Sequence, residues 1–172
     1  MVIEDRIFVG IGKILIDTPA EDWNIPNLHF IVSKSGDKTY EAVNLEFGLV
    51  AVGESGVDAA GDLASLACAY ILSVIHEGNG YKELRDIVRK NFMADYWAEY
   101  RGIEFDLAET GDDLSHDIDK RINKAIQESF SDELRKALER GAKQAASEII
   151  AMFSVRPPIV EYKEIQKERA AA

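Results

Sequence analysis

The chain has 172 residues, 47% of them hydrophobic and 30% charged, which is enough for one sizeable core. Its 20 Lys and Arg against 31 Asp and Glu leave a net charge of −11, which works against nucleic-acid binding by the chain as a whole and favours a basic protein partner. A single cysteine, Cys68, excludes an internal disulfide, and the most apolar stretch, residues 63–75, falls far short of the roughly 20 residues a membrane span needs. The N-terminus lacks the basic-then-apolar order of a secretory signal, so no membrane association and a cytoplasmic location are expected.

Residues 7–16 are rich in β-branched side chains and stop at Asp17, Thr18 and Pro19, which predicts a strand and a breaker. Residues 28–32 and 40–45 flank the turn-forming Ser35, Gly36, Asp37 and Lys38, the pattern of an antiparallel hairpin. Residues 49–52 add a third strand to that meander. From Ser55 the apolar spacing lengthens from two to about 3.6, and Val57, Leu63, Leu66, Ala67, Tyr70, Ile71, Val74 and Ile75 fall on one broad helical stripe. Ser55 is the expected N-cap, with Asp58 three residues on as a shortened form of the Ser-x-x-Glu capping box, and Gly78 to Gly80 end the helix.

Residues 81–100 read as a second helix through Leu84, Ile87, Val88, Phe92, Tyr96 and Tyr100, and residues 102–111 as irregular or a short strand. Ile118, Ile122, Ile126, Phe130, Leu134 and Leu138 then step by four, a long helix or a pair hinged near Ser129 to Ser131. Arg156, Pro157 and Pro158 stop it, which leaves residues 161–172 as a short charged tail. The expected fold class is therefore α+β: a three- or four-stranded antiparallel β-meander packed by a helix, with a C-terminal helical extension. Residues 1–80 make the α+β domain and residues 81–172 the extension, open to packing on the first as one domain. The charge is divided as −8 over residues 1–80, −6 over 81–119 and +3 over 120–172. Such asymmetry fits either two ends with different jobs or a solvated acidic domain with an ordinary helical tail.

The run Tyr40-x-Ala42-Val43-Asn44-Leu45-x-x-Gly48-x-Val50-x-x-Gly53-Glu54-Ser55-x-x-Asp58-Ala59 resembles the signature of the HicB-like antitoxin family. There, a strand bearing an aromatic leads through a Pro-x-Leu-x-Gly turn to Gly-x-Thr-x-x-Glu-Ala at the head of a helix. The resemblance covers residues 40–59 directly and residues 28–75 with the flanking strand and helix. Gly48 and Gly53 stand where the backbone must turn or leave the sheet, and Ser55 with Asp58 stands at the helix cap. Asn44 replaces the usual proline, Ser55 the threonine and Asp58 the glutamate. The resemblance implies a partial ribonuclease H-like unit without nuclease activity that binds a small basic ribonuclease toxin. Many members add a C-terminal helix-turn-helix or ribbon-helix-helix for operator DNA. Residues 81–172 are longer than either, and no short basic strand precedes their helices.

No residue pattern builds an active site, so neither catalytic residues nor cofactor is expected. Gly10 and Gly12 lack the third glycine of a dinucleotide fingerprint and read as a strand that needs small residues for close packing. Of the three histidines, His29, His76 and His116, the last stands four after Asp112 and three before Asp119, a spacing that can bind a divalent ion. Acidic residues also gather at helix starts for the macrodipole alone, and no metal is expected. Cys68 lies on the apolar helix stripe and reads as a small packed hydrophobe.

Seven acidic residues, Glu104, Asp106, Glu109, Asp112, Asp113, Asp117 and Asp119, run between Gly102 and Asp119 without a lysine or arginine. Either they form a solvated loop and helix start, or they are a docking surface for a basic protein whose on-rate complementary charge would raise. Phe92, Tyr96, Trp97 and Tyr100 just before them read as core, dimer or interface aromatics. The functional expectation is thus a non-enzymatic module, resembling HicB-like antitoxins, that masks a basic partner such as a ribonuclease toxin. An edge strand left by the meander makes a homodimer expected. The alternative is a small acidic chaperone or adaptor of the type III secretion kind that holds a client segment.

Overall fold

Period-two apolar runs at both ends of the chain meet in one sheet. A computed structural model describes residues 6–15, 27–36, 38–77, 86, 93–110, 120, 121, 124, 128 and 159–170. Five strands, β1 (Ile7–Leu15), β2 (Leu28–Ser35), β3 (Thr39–Asn44), β4 (Val50–Gly53) and β5 (Ile159–Ala170), form an antiparallel sheet in the order β4-β3-β2-β1-β5. Helix α1 (Gly56–Glu77) packs on one face of this α+β unit and helix α2 (Ala94–Thr110) on the other. Among the described residues, no helix is long and apolar enough to cross a membrane.

Two sequence expectations are corrected here. Residues 102–110 belong to α2 rather than to an irregular segment or a short strand. Glycine at 102 disfavours a helix, but Ile103 and Leu107 continue the stripe begun by Tyr96 and Tyr100, and all four are buried on the sheet. That burial, about 1.5–3 kcal/mol for each large side chain, outweighs the roughly 1 kcal/mol a helical glycine costs. Residues 161–170 are not a fraying tail: they form most of β5, the partner of β1 at the sheet edge. The C-terminal segment therefore contributes a strand as well as helix.

A bulge at Val9 sets which side chains of β1 reach which core. Phe8 pairs with Ser33 of β2 but Gly10 pairs with Val32, so Val9 is the extra residue and the inward and outward sets exchange there. Phe8 accordingly packs under α2, whereas Val9 and Ile14 pack under α1 with Leu28, Phe30 and Val32. On the α1 side the helix presents Ala59, Ala60, Ala64 and Ala67, whose short side chains let it lie close to the strands. Phe30 stacks on Tyr162 of β5 with ring centroids 5.9 Å apart. Gly10 and Gly12 make room for these rings: a Cβ on Gly10 would stand 2.6 Å from Tyr162, and one on Gly12 would overlap the Phe30 ring and the Glu161 carbonyl oxygen.

Candidate functional site

Helix α2 has a buried face, two flanks and an outer ridge, and the ridge is where chemistry can meet a partner. Phe105 on that ridge is 65% exposed, with Glu104 and Asp106 exposed on either side of it. Residues two apart on a helix point about 200° apart, so the two carboxylates leave on opposite flanks. Glu104 descends toward the sheet and lines a cleft of about 210 Å³ with Tyr100, Leu107, Lys13, Glu161 and Lys163. Glu109 lies within α2. Asp112, Asp113, Asp117, Asp119 and His116 lie outside the described residues. The structure thus places two of the seven acidic candidates around an exposed aromatic and describes the helix that carries a third.

Beneath α2 lies a polar knot between the start of β2 and the β3–β4 turn. The Glu46 carboxylate accepts hydrogen bonds from the His29 backbone N–H at 2.8 Å and from Asn44 Nδ2 at 2.9 Å, and it lies 2.6 Å from His29 Nδ1. Asn44 Nδ2 also donates to the His29 carbonyl at 3.1 Å, while its Oδ1 accepts from the Phe47 N–H at 2.7 Å. Glu46 is 7% exposed and Asn44 fully buried, so these contacts supply what burial removes from water. Asn44, which departs from the family resemblance, is therefore the residue that organises this turn. Gly48 closes the turn at φ +71°, donating its N–H to the Asn44 carbonyl at 3.0 Å.

A carboxylate-oriented imidazole is the arrangement a general base uses, but the neighbours of His29 are rings. Trp97 lies 5.0 Å and Tyr100 5.4 Å from it, centroid to centroid, and among the described residues Glu46 is the ring's only hydrogen-bond partner. Burial, reinforced by the Glu104, Glu46 and Glu161 carboxylates, holds the Tyr100 phenol well above its usual range and keeps it protonated. Burial likewise pushes the Cys68 thiol up to about 12, which leaves little thiolate at neutral pH. Among the described residues no three His, Cys, Asp or Glu side chains gather as a metal cage.

At the strand-to-helix corner, the Ser55 hydroxyl donates to the Asp58 carboxylate at 2.7 Å and accepts from the Asp58 N–H at 3.1 Å. Gly53 lies so close to this corner that a Cβ would stand 2.6 Å from the Ala59 nitrogen. Gly48 and Gly53 thus shape the backbone, and Ser55 with Asp58 holds the start of α1. Missed from the sequence were Glu46 and Asn44 as partners of His29, and Phe105 as an exposed aromatic. Only the Glu104-Phe105-Asp106 triplet could have been noticed, as an apolar residue set between charges. No family model matches the chain, and neither does any curated protein or solved structure.

Proposed function

We propose that this chain is a non-enzymatic protein-binding module that masks a basic partner through the outer ridge of α2, as the resemblance to HicB-like antitoxins implies. It works in the cytoplasm, and its partner is a small basic protein such as a ribonuclease toxin. The observation that carries this is Phe105, 65% exposed between two exposed carboxylates on a helix whose opposite face is anchored in the core. An aromatic with a charged rim is the usual anatomy of an interface hot spot. The aromatic supplies apolar area to bury, and the carboxylates steer a basic surface toward it.

The test is co-purification with the protein of the adjacent reading frame, followed by binding kinetics. Phe105→Ala should raise Kd about tenfold or more, mainly through faster dissociation. Glu104→Gln with Asp106→Asn should slow association and flatten its salt dependence, because charges at a rim act over a Debye length of about 8–10 Å. Phe105→Ala should keep the unfolding midpoint, because that ring is 65% exposed. A neighbour that is neither small nor basic, or a Phe105→Ala protein that binds like the parent, would overturn the proposal.

A further inference from the structure

The two edges of the sheet are built differently. Edge strand β5 carries charge along its length, with Glu161, Lys163, Glu164, Lys167, Glu168 and Arg169, which is how proteins discourage strand addition. Edge strand β4 has no such protection. From Phe47 to Gly53 there is no charged side chain, and no residue of β4 is buried. Four large hydrophobics are exposed among the described residues, and one of them, Val52 at 55%, belongs to this edge strand. Val52 lies on the α2 side, in alternation with Ala51, which packs toward α1.

The main chain of β4 is equally ready. Leu49 accepts from the Asn44 N–H at 2.8 Å, so the alternation of an antiparallel ladder turns Ala51 and Gly53 toward β3 and points the N–H and C=O groups of Val50 and Val52 outward. We infer that β4 pairs with β4 of a second copy about a twofold axis, joining two sheets into one of ten strands. Val50 of each copy then faces Val52 of the other and exchanges both backbone hydrogen bonds with it, while Ala51 meets its own counterpart at the axis. On the α2 side four valines lie side by side across the seam, a favourable β-branched pairing.

Electrostatics selects the second copy over the basic partner. A twofold pairing about Ala51 brings the residues next to the axis diagonally close to their own counterparts, so a charge within this short strand would lie near its like. β4 has none, and the first charge, Glu54, falls opposite Gly48 of the other copy. Glu41, which neighbours Val52 on β3, is already held by Arg6. A basic partner would find its first carboxylate only at the end of this seam, at Glu54. Each copy carries −11, so the pairing works against long-range repulsion and tightens as salt rises. It rests on neither the α2 ridge nor the identity of the basic partner.

The test is sedimentation equilibrium on the full chain from low micromolar to millimolar concentration, at low and high salt, with Val52→Pro and Val52→Lys variants. Proline at position 52 removes only an outward N–H and blocks an incoming strand, so the monomer keeps its ladder. Lysine keeps the strand and sets a charge against Val50 of the other copy, which covers the case in which the proline variant does not fold. The parent should form a concentration-dependent dimer that strengthens with salt, and either variant should weaken it about tenfold or more with unchanged circular dichroism. The Val50 and Val52 amides should exchange hydrogen more slowly in the dimer than in the monomer. A parent that stays monomeric throughout, a dimer that survives both substitutions, or equal exchange at those two amides would overturn the inference. Binding of the basic partner by the Val52 variants reports separately on the α2 ridge.

Discussion

Adding one methyl group to β1 at Gly12 probes the most consequential packing in the sheet. A Cβ there overlaps Cζ of Phe30 and the carbonyl oxygen of Glu161, and neither neighbour can yield cheaply. Phe30 is fully buried and stacked on the fully buried Tyr162, so its ring cannot turn aside without opening the α1 core. The Glu161 oxygen belongs to the main chain of β5, directly beside β1, with Gly12 paired to Tyr162. Overpacking costs about 1–3 kcal/mol where neighbours can adjust, and with both contacts fixed Gly12→Ala should lie near the upper end, about 3 kcal/mol. For a chain of this length that is roughly 6–12 °C in Tm. Urea unfolding followed by circular dichroism and tryptophan fluorescence measures it. Adding Phe30→Leu should recover part of the loss, because it relieves the ring contact and leaves the β5 contact. Gly36→Ala is the control: φ there is +71° with nothing within 4 Å of a Cβ, so only backbone strain of about 1–2 kcal/mol is expected. A loss at Gly12 below about 1 kcal/mol would refute the close approach of β5 to β1.

Two further outcomes follow from the helix cap and the buried acids. Ser55→Ala removes the acceptor for the Asp58 N–H and should cost about 1 kcal/mol, read as a lower urea midpoint with unchanged slope. At alkaline pH the fold should weaken. Cys68 is raised by burial from 9.0 to about 12, and burial also raises Tyr162 and Tyr100 from 10.0. These groups ionise at their ordinary values only once the chain unfolds. The unfolded state therefore binds fewer protons above pH 9, so stability is fully present below 9 and falls as pH rises through 9 and 10 toward 12. Urea midpoints across that range should decline, with the earliest part of the fall absent in Cys68→Ala. A flat profile would show that the phenols titrate in the folded protein.

Meander and first helix were legible because their signals are local. Period-two runs, a turn cluster at Ser35 to Lys38 and a capping pair at Ser55 and Asp58 all act within a few residues. β5 was missed although its period is visible: Val160 and Tyr162 are buried, while Glu161 and Lys163, alternating with them, are exposed. Its charges resembled a solvated tail because an edge strand needs them for its own protection. The continuation of α2 through Gly102 was hidden for the opposite reason. A glycine inside a helix is locally unfavourable, and tertiary burial of Ile103 and Leu107 outweighed that cost. The His29–Glu46 contact spans 17 residues and has no spacing rule at all, since the pairing of β2 with β3 creates it.

Both proposed surfaces are apolar where they touch and acidic in their surroundings, yet salt acts on them with opposite sign. On the α2 ridge, Glu104 and Asp106 attract a positively charged protein, so added salt screens an attraction and weakens binding. Along β4 the contact itself is uncharged and joins two chains of −11, so added salt screens a repulsion and strengthens pairing. The elements are also separate: α2 packs over β1 and β2, while β4 lies at the far edge beyond β3. A dimer joined at β4 would therefore carry two acidic ridges, one on each copy. If two basic partner molecules joined to each other can span those ridges, the second contact becomes intramolecular and the complex tightens without any new interface. Val52→Pro should then weaken capture of a paired basic partner but leave capture of a single one unchanged. Equal weakening of both would place β4 in the ridge interface itself.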